Sequence, residues 1–160
     1  MKAEVDFMLR NGCIGLRDET DVSFPMHLKT YRYGEAKGLT GLSLGVTRQV
    51  PRGVKKSEYV SGGYFDVWLP VLSPSKELVA AYMGGEIPWK DFAKRYRKEM
   101  NGPDPRSVIR LIAAMAAKHP VNLGCFCEDE SRCHRSLLYQ LVMEEAEEDG
   151  GTKPCDMPEI

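Results

Sequence analysis

The sequence predicts a single compact α/β domain, with a small, mostly parallel sheet flanked by helices in a Rossmann-like three-layer arrangement. Three observations point there. Apolar and polar residues alternate in short runs of the first half. In the second half apolar residues recur at three- and four-residue spacing. Near the C-terminus a short apolar run, a polar loop and an amphipathic segment follow in order, and ligands of α/β folds bind where such strands end and helices begin. A chain of 160 residues suits one domain, and it buries roughly 70% of its unfolded surface without help from a disulfide or metal.

The elements follow from local pattern. Met26–Tyr33 alternates in the manner of a strand, and Gly41–Arg48 repeats the pattern with Leu42, Leu44 and Val46 on one face. Gly34 and Gly38 mark the loop between them, and Pro51-Arg52-Gly53 stops the second run. A third strand is expected within Tyr64–Leu69. A helix starts at Ser73-Pro74-Ser75, with a hydroxyl cap and proline in its first turn, buries Leu78, Val79 and Tyr82, and ends at Gly84-Gly85. A second begins near Pro88, with Trp89, Phe92, Ala93, Tyr96 and Met100 on one apolar face. Asp104-Pro105 caps a third, whose Val108, Leu111, Ile112 and Met115 are expected to face the core. Val121–Cys125 reads as a short buried strand, followed by a polar loop from Glu128 to Arg132 and a helix with Leu137, Leu138, Leu141 and Val142 inward.

Charge and cysteine usage narrow the classes of function. The net charge is −1, yet residues 144–149 alone hold five acids and leave the rest mildly basic. Such a body admits an anionic ligand, but it lacks the basic stripe of a dedicated nucleic-acid binder. No apolar run reaches the ~20 residues of a membrane span. The N-terminus has early acids and no apolar centre, unlike a signal peptide. Five cysteines without an export signal point to reduced thiols and a cytoplasmic location. The stretch 149–160, with paired glycines, two prolines and Cys155, is expected to be a disordered tail.

The distinctive chemistry lies in Cys125-Phe126-Cys127 through Cys133-His134-Arg135. Read as a ligand or catalytic site, Cys127 or Cys133 is the nucleophile and His134 the acid/base. The first turn of the following helix would favour thiolate at Cys133, and Arg132 and Arg135 add positive charge. Neighbours on a helix diverge by about 100°, so His134 is expected to reach Cys127 or a ligand rather than Cys133. Glu128, Asp129 and Glu130 would repel an incoming anion. Read as a metal site, Cys125, Cys127, Cys133 and His134 supply four ligands of the kind zinc takes, at an unconventional spacing. Read structurally, Cys125 fills the end of a buried strand and the histidine caps carbonyls. No cofactor is predicted, and zinc is the metal the donor types would suit.

Elsewhere, Arg48 and Arg52 flank a proline at a strand end, where binding loops occur, and are candidate anion ligands with Arg135. Lys55 and Lys56 read as solvated. Trp89, Phe92 and Tyr96 could form a base-stacking platform, but their helical spacing favours core packing.

Ordered segments carry a resemblance. They are Lys29-Thr30-Tyr31-Arg32-Tyr33, Gly45 to Gly53 with its Pro-Arg-Gly, Asp66-Val67-Trp68-Leu69, Ser73-Pro74-Ser75-Lys76-Glu77-Leu78, Trp89-Lys90-Asp91-Phe92 with Arg95-Tyr96 and Glu99-Met100, and Leu123 to Arg135. Together they resemble the domain of unknown function 488 family (DUF488), especially its YeaO-like branch. The resemblance spans about residues 28 to 143 and implies a compact α/β domain over 28–148 with a Cys-His-Arg step near its end. Residues 1–27 stand outside it. Some relatives occur beside DNA-repair domains, which implies a nucleotide or nucleic-acid connection. The function expected is binding of, or action on, a small phosphorylated or nucleotide-like anion through Arg48, Arg52, Arg135 and the Cys-His-Arg pocket. The alternative is a non-catalytic module for nucleic acid or a protein partner, with structural or zinc-bound cysteines. No membrane partner is expected.

Overall fold

The computed structural model describes residues 26–149. Expectations for the segment before residue 26 and the tail beyond 149, Cys155 included, lie outside the described residues. The elements are β1 (Leu28–Arg32), β2 (Leu42–Gly45), β3 (Val67–Trp68), α1 (Lys76–Met83), α2 (Trp89–Met100), α3 (Pro103–Ala116), β4 (Val121–Cys125) and α4 (His134–Asp149). Short 3-10 turns precede β3, α1 and α4. No helix among the described residues is long and apolar enough to cross a membrane.

All strand pairs among the described residues are parallel, in the order β1-β4-β2-β3. The last strand in sequence is therefore inserted between the first two, with Leu123 level with Thr30 on one side and Leu44 on the other. All five residues of β4 are buried. A strand covered on both faces has no reason to alternate, and its one polar side chain, Asn122, is satisfied by donating from Nδ2 to the Thr40 carbonyl at 3.1 Å. The chain from β3 to β4 runs through α1, α2 and α3.

The two faces of the sheet are covered differently. Leu28, Leu44, Val46, Val121 and Leu123 share one core with Leu78, Phe92, Tyr96, Ile112 and Leu138 of the four helices. Alternate residues point the other way, and there Tyr31, Tyr33 and Phe65 form a second cluster with Ala36, Leu39, Val50, Tyr59 and Tyr64 from loops. Among the described residues, then, helices flank one face and aromatic loops make up the third layer.

Glycine prepares the sheet for those rings. Gly45 and Gly124 are direct partners across β2 and β4. A Cβ on Gly124 would sit 2.3 Å from the Tyr31 ring, and one on Gly45 would sit 2.5 Å from the Tyr33 hydroxyl. Two side-chain-free positions side by side make the flat seat on which the aromatic layer rests.

Helix ends show the capping that the sequence suggested, with shifts. Ser75, not Ser73, is the N-cap of α1, and its hydroxyl accepts from Leu78 N at 3.2 Å. The Glu99 carboxylate on α2 accepts in turn from Ser75 N at 2.9 Å and from the Ser75 hydroxyl. Pro74 thus precedes the helix, where its missing N–H costs nothing. Val79 is 38% exposed, so Leu78 is the residue α1 buries. In α3 the buried face is Ile109, Ile112, Ala113 and Ala116, while Leu111 is 59% exposed. Val108 and Met115 pack against that face partly buried, so of the four residues expected inward only Leu111 turns to solvent. Gly102, without a side-chain cap, starts that helix instead of Asp104. α2 buries Phe92, Tyr96 and Met100 as its spacing predicts, so its aromatic stripe is core.

Two measurements check this packing. Gly124→Ala should destabilise the fold by about 1–3 kcal/mol, the usual cost of overpacking, read from the midpoint of urea unfolding. Burial raises the phenol pKa of Tyr31, Tyr33 and Tyr96 above its ordinary value. Their stabilising contribution is therefore complete below the unfolded value of about 10 and is lost as pH climbs beyond it. Alkaline titration followed by phenolate absorbance should show these three ionising only together with loss of the near-UV circular dichroism.

Candidate functional site

The C-terminal end of β4 lies at the centre of the sheet, and the segment that follows supplies the thiols. Cys125 is the last strand residue and projects toward the helical layer, as Val121 and Leu123 do. Cys127, two residues on, is exposed, and its Sγ accepts from the Cys125 thiol at 3.7 Å. A 3-10 turn, Glu130–Arg132, then brings the chain back to Cys133 and the start of α4.

The acidic loop is fastened rather than free. Arg32 of β1 donates to Glu128 at 2.6 Å, and the Thr30 hydroxyl donates to Glu130. Asp129 caps the turn by accepting from Ser131 N at 3.0 Å, and its carboxyl is held below the usual carboxylate range chiefly by the Ser131 hydroxyl. The Ser136 hydroxyl donates to the Glu130 carbonyl and ties the loop to α4.

Cys133 has φ −120° and ψ 141°, so it is extended, and α4 begins only at His134. The divergence expected of helical neighbours therefore does not apply. Cys133 and His134 both turn inward, 1% and 8% exposed. His134 Nε2 lies 2.7 Å from the Val46 carbonyl. A carbonyl can only accept, so Nε2 carries the hydrogen and Nδ1 presents its lone pair. Nδ1 faces two thiols, 3.8 Å from Cys125 Sγ and 4.0 Å from Cys133 Sγ. The imidazole thus meets the buried thiols, not Cys127 as sequence reasoning expected. Burial holds the His134 pKa below the ordinary value, which keeps the ring neutral, and Tyr96 packs edge-on against it at 5.7 Å.

The thiols differ in acidity. Interaction with the Cys125 and Cys133 thiols, with support from Arg135, lowers the pKa of Cys127. Cys125 is raised to about 11, first by its hydrogen bond to Cys127 and then by burial. Cys133 is raised well above the thiol range by the same neighbours and by burial. The expectation that a helix start would make Cys133 the thiolate is therefore reversed. Burial and two competing sulfurs outweigh the helix field, and Cys127 ionises first.

The arginines part company. Arg135 is only 4% exposed, and its Nη1 donates to the Tyr31 carbonyl at 3.2 Å and the Cys127 carbonyl at 2.9 Å. Its Nε is buried without a hydrogen-bond partner, and no described carboxylate lies in ion-pair range of it. Arg48 is spent on carbonyls before α1, donating to Pro74 at 3.0 Å and Ser73 at 3.4 Å. Arg52 reaches Gln49 at 3.3 Å on the surface. The structure therefore gathers Cys125, Cys127, Cys133, His134 and Arg135, and leaves Arg48 and Arg52 engaged elsewhere. A hollow of about 450 Å³ between α2, α3 and α4 holds none of these residues, and its ions pair with one another, as Arg97 does with Glu144 at 2.9 Å. The Val46 carbonyl and the Tyr96 ring escaped sequence reading. A main-chain acceptor leaves no trace in a sequence, and Tyr96 reads as core.

Fold and site define a small parallel α/β protein with a thiol–imidazole cluster at the C-terminal rim of its central strand. The chain belongs to the DUF488 family, whose model described as "DUF488-N3a: Active DUF488-N3 subclade" matches residues 28–146. It is similar to the uncharacterized protein YeaO of Escherichia coli (strain K12), with 26% identity over 106 residues covering 66% of this chain and 87% of that protein. No solved structure matches it.

The burial pattern sets an order of thiol reactivity. Iodoacetamide should modify Cys127 first in the folded, chelator-treated protein. Cys125 and Cys133 should react more slowly by on the order of ten-fold or more, since burial and a raised pKa both suppress thiolate attack. Peptide mapping by mass spectrometry at short times reads that order.

Proposed function

We propose that the protein binds, and through Cys127 acts on, a small phosphorylated or nucleotide-like anion at the C-terminal rim of the sheet. One observation carries the reading: Cys127 is the exposed member of a thiol–imidazole–guanidinium group gathered at the end of the central strand, where open α/β sheets hold their ligands. In this reading Cys127 is the nucleophile. It attacks phosphorus as the thiolate, forming P–S as the P–O bond to the leaving group breaks, and the leaving oxygen takes its proton from solvent. His134 Nδ1, free of hydrogen, accepts from the buried Cys125 and Cys133 thiols and orders them beneath it. Arg135 supplies the positive charge.

The fastened loop supports the same reading. Glu128 and Glu130 are drawn onto Arg32 and Thr30 of β1, so their charge is partly answered before an anion arrives. The family description as an active subclade also favours chemistry over a purely structural role.

Thermal unfolding with inorganic phosphate, pyrophosphate and AMP tests it. A ligand at a hundred times its Kd should add about 2.7 kcal/mol of stability, and Cys127→Ser and Arg135→Lys should each reduce that gain. A midpoint unmoved by millimolar concentrations of all three probes removes the anion reading. It would leave the non-catalytic module for nucleic acid or a protein partner, with structural cysteines.

A further inference from the structure

The side chains beneath Cys127 carry a second inference, which concerns metal and goes beyond the anion reading. The donor atoms of Cys125, Cys133 and His134 all lie within 4.8 Å of one another, and all three residues are buried. Cys127 Sγ stands 3.7 Å from Cys125 Sγ. Zinc takes sulfur at about 2.3 Å and nitrogen at about 2.0–2.1 Å, so the edges of a tetrahedral site measure roughly 3.5–3.8 Å. Three of its six edges, 3.7 Å from Cys125 Sγ to Cys127 Sγ and 3.8 and 4.0 Å from Nδ1 to Cys125 Sγ and Cys133 Sγ, match such lengths within a few tenths of an ångström, and the Cys125–Cys133 edge is within 4.8 Å. We propose that Cys125, Cys133 and His134 Nδ1 form a binding site for a soft divalent ion of the zinc type, and that Cys127, 3.7 Å from Cys125 but outside that three-residue group, swings in as the fourth ligand.

Three features argue for a ligand set over simple packing. The first is the histidine tautomer. Its Nε2–H is committed to the Val46 carbonyl at 2.7 Å, and metal-ligating histidines fix their second nitrogen in this way. The second is charge. Three thiolates and a neutral imidazole around a divalent ion leave one net negative charge. Arg135, buried beside Cys127 with no described carboxylate in range, is the matching counter-charge. The third is access. Three donors are buried, while Cys127 is exposed, so an ion can enter at one corner and be closed in by that side chain. Cys125 and Cys127 suit chelation because the bend at Phe126 leaves their sulfurs 3.7 Å apart. Binding displaces the thiol protons to solvent, so affinity should rise with pH.

An ion at this site would take Cys127 and His134 Nδ1 out of the thiol chemistry proposed above, so the test uses the full, untagged chain with no anionic ligand present and reads the metal alone. Metal analysis after gel filtration should find one zinc per chain. Cobalt(II) added to chelator-stripped protein should give the sulfur-to-cobalt charge-transfer bands and intense visible bands of a tetrahedral thiolate site. Cys127→Ser, at an exposed position, should keep the far-UV circular dichroism, weaken the charge-transfer bands and lower zinc affinity by on the order of ten-fold or more. Cys125→Ser and His134→Asn should lose the site altogether, and if either fails to fold the wild-type cobalt spectrum decides. A wild-type chain that retains no zinc and gives no charge-transfer bands overturns the proposal. A Cys127→Ser spectrum identical to wild type overturns the four-ligand assignment.

Discussion

The hydrogen bond from His134 Nε2 to the Val46 carbonyl, 2.7 Å long, is the constraint on which the site depends. It joins the end of β2 to the first residue of α4, 88 positions apart in sequence. Because the acceptor is main chain, the ring has one orientation and one tautomer. Because both partners are buried, breaking the bond would strand a polar group in the core at a cost of about 1–3 kcal/mol. The bond therefore directs the bare nitrogen at two thiols and anchors the start of α4 over the sheet. Tyr96, wholly buried and itself held by the Leu72 carbonyl at 2.8 Å, supports the other side of the ring.

Topology explains why this spot is the chemical one. β4 completes the sheet by entering between β1 and β2, so its last residue emerges at the middle of the rim. Everything beyond Cys125 must turn there, with strands on both sides. Arg32 and Thr30 on one flank secure the turning loop, and Val46 on the other receives the histidine. The Gly45–Gly124 seat leaves the opposite face to aromatic rings, so the thiol group faces the helical layer alone.

Much of the architecture was legible in the sequence because it rests on local pattern. Val121–Cys125 reads as a short buried strand despite Asn122, and the inward face of α2 follows from spacing. The inward face of α3 also follows from spacing except at Leu111, and it adds Ala113 and Ala116, which carry little weight in a reading that looks for bulk. At the site, residue types told more than geometry did. The cluster of Cys125, Cys127, Cys133 and His134 was visible as composition. Its convergence was not, because it depends on the extended backbone of Cys133 and on a distant carbonyl. Arg48 was equally opaque. A strand-end arginine looks like a ligand contact until the carbonyls of Ser73 and Pro74, some 25 residues away, are seen to hold it.

The sheet's two rims have a further consequence. One is β3, only two residues long, with the Trp68 indole folded back onto the Thr47 carbonyl at 2.7 Å. The other is β1, which carries Lys29 and Arg32 and offers its Arg32 amide to the Glu35 carboxylate at 3.4 Å. A stranger's backbone finds a stub at one end and positive charge at the other. Among the described residues, short or charged margins of this kind discourage the addition of further strands at either edge of the sheet.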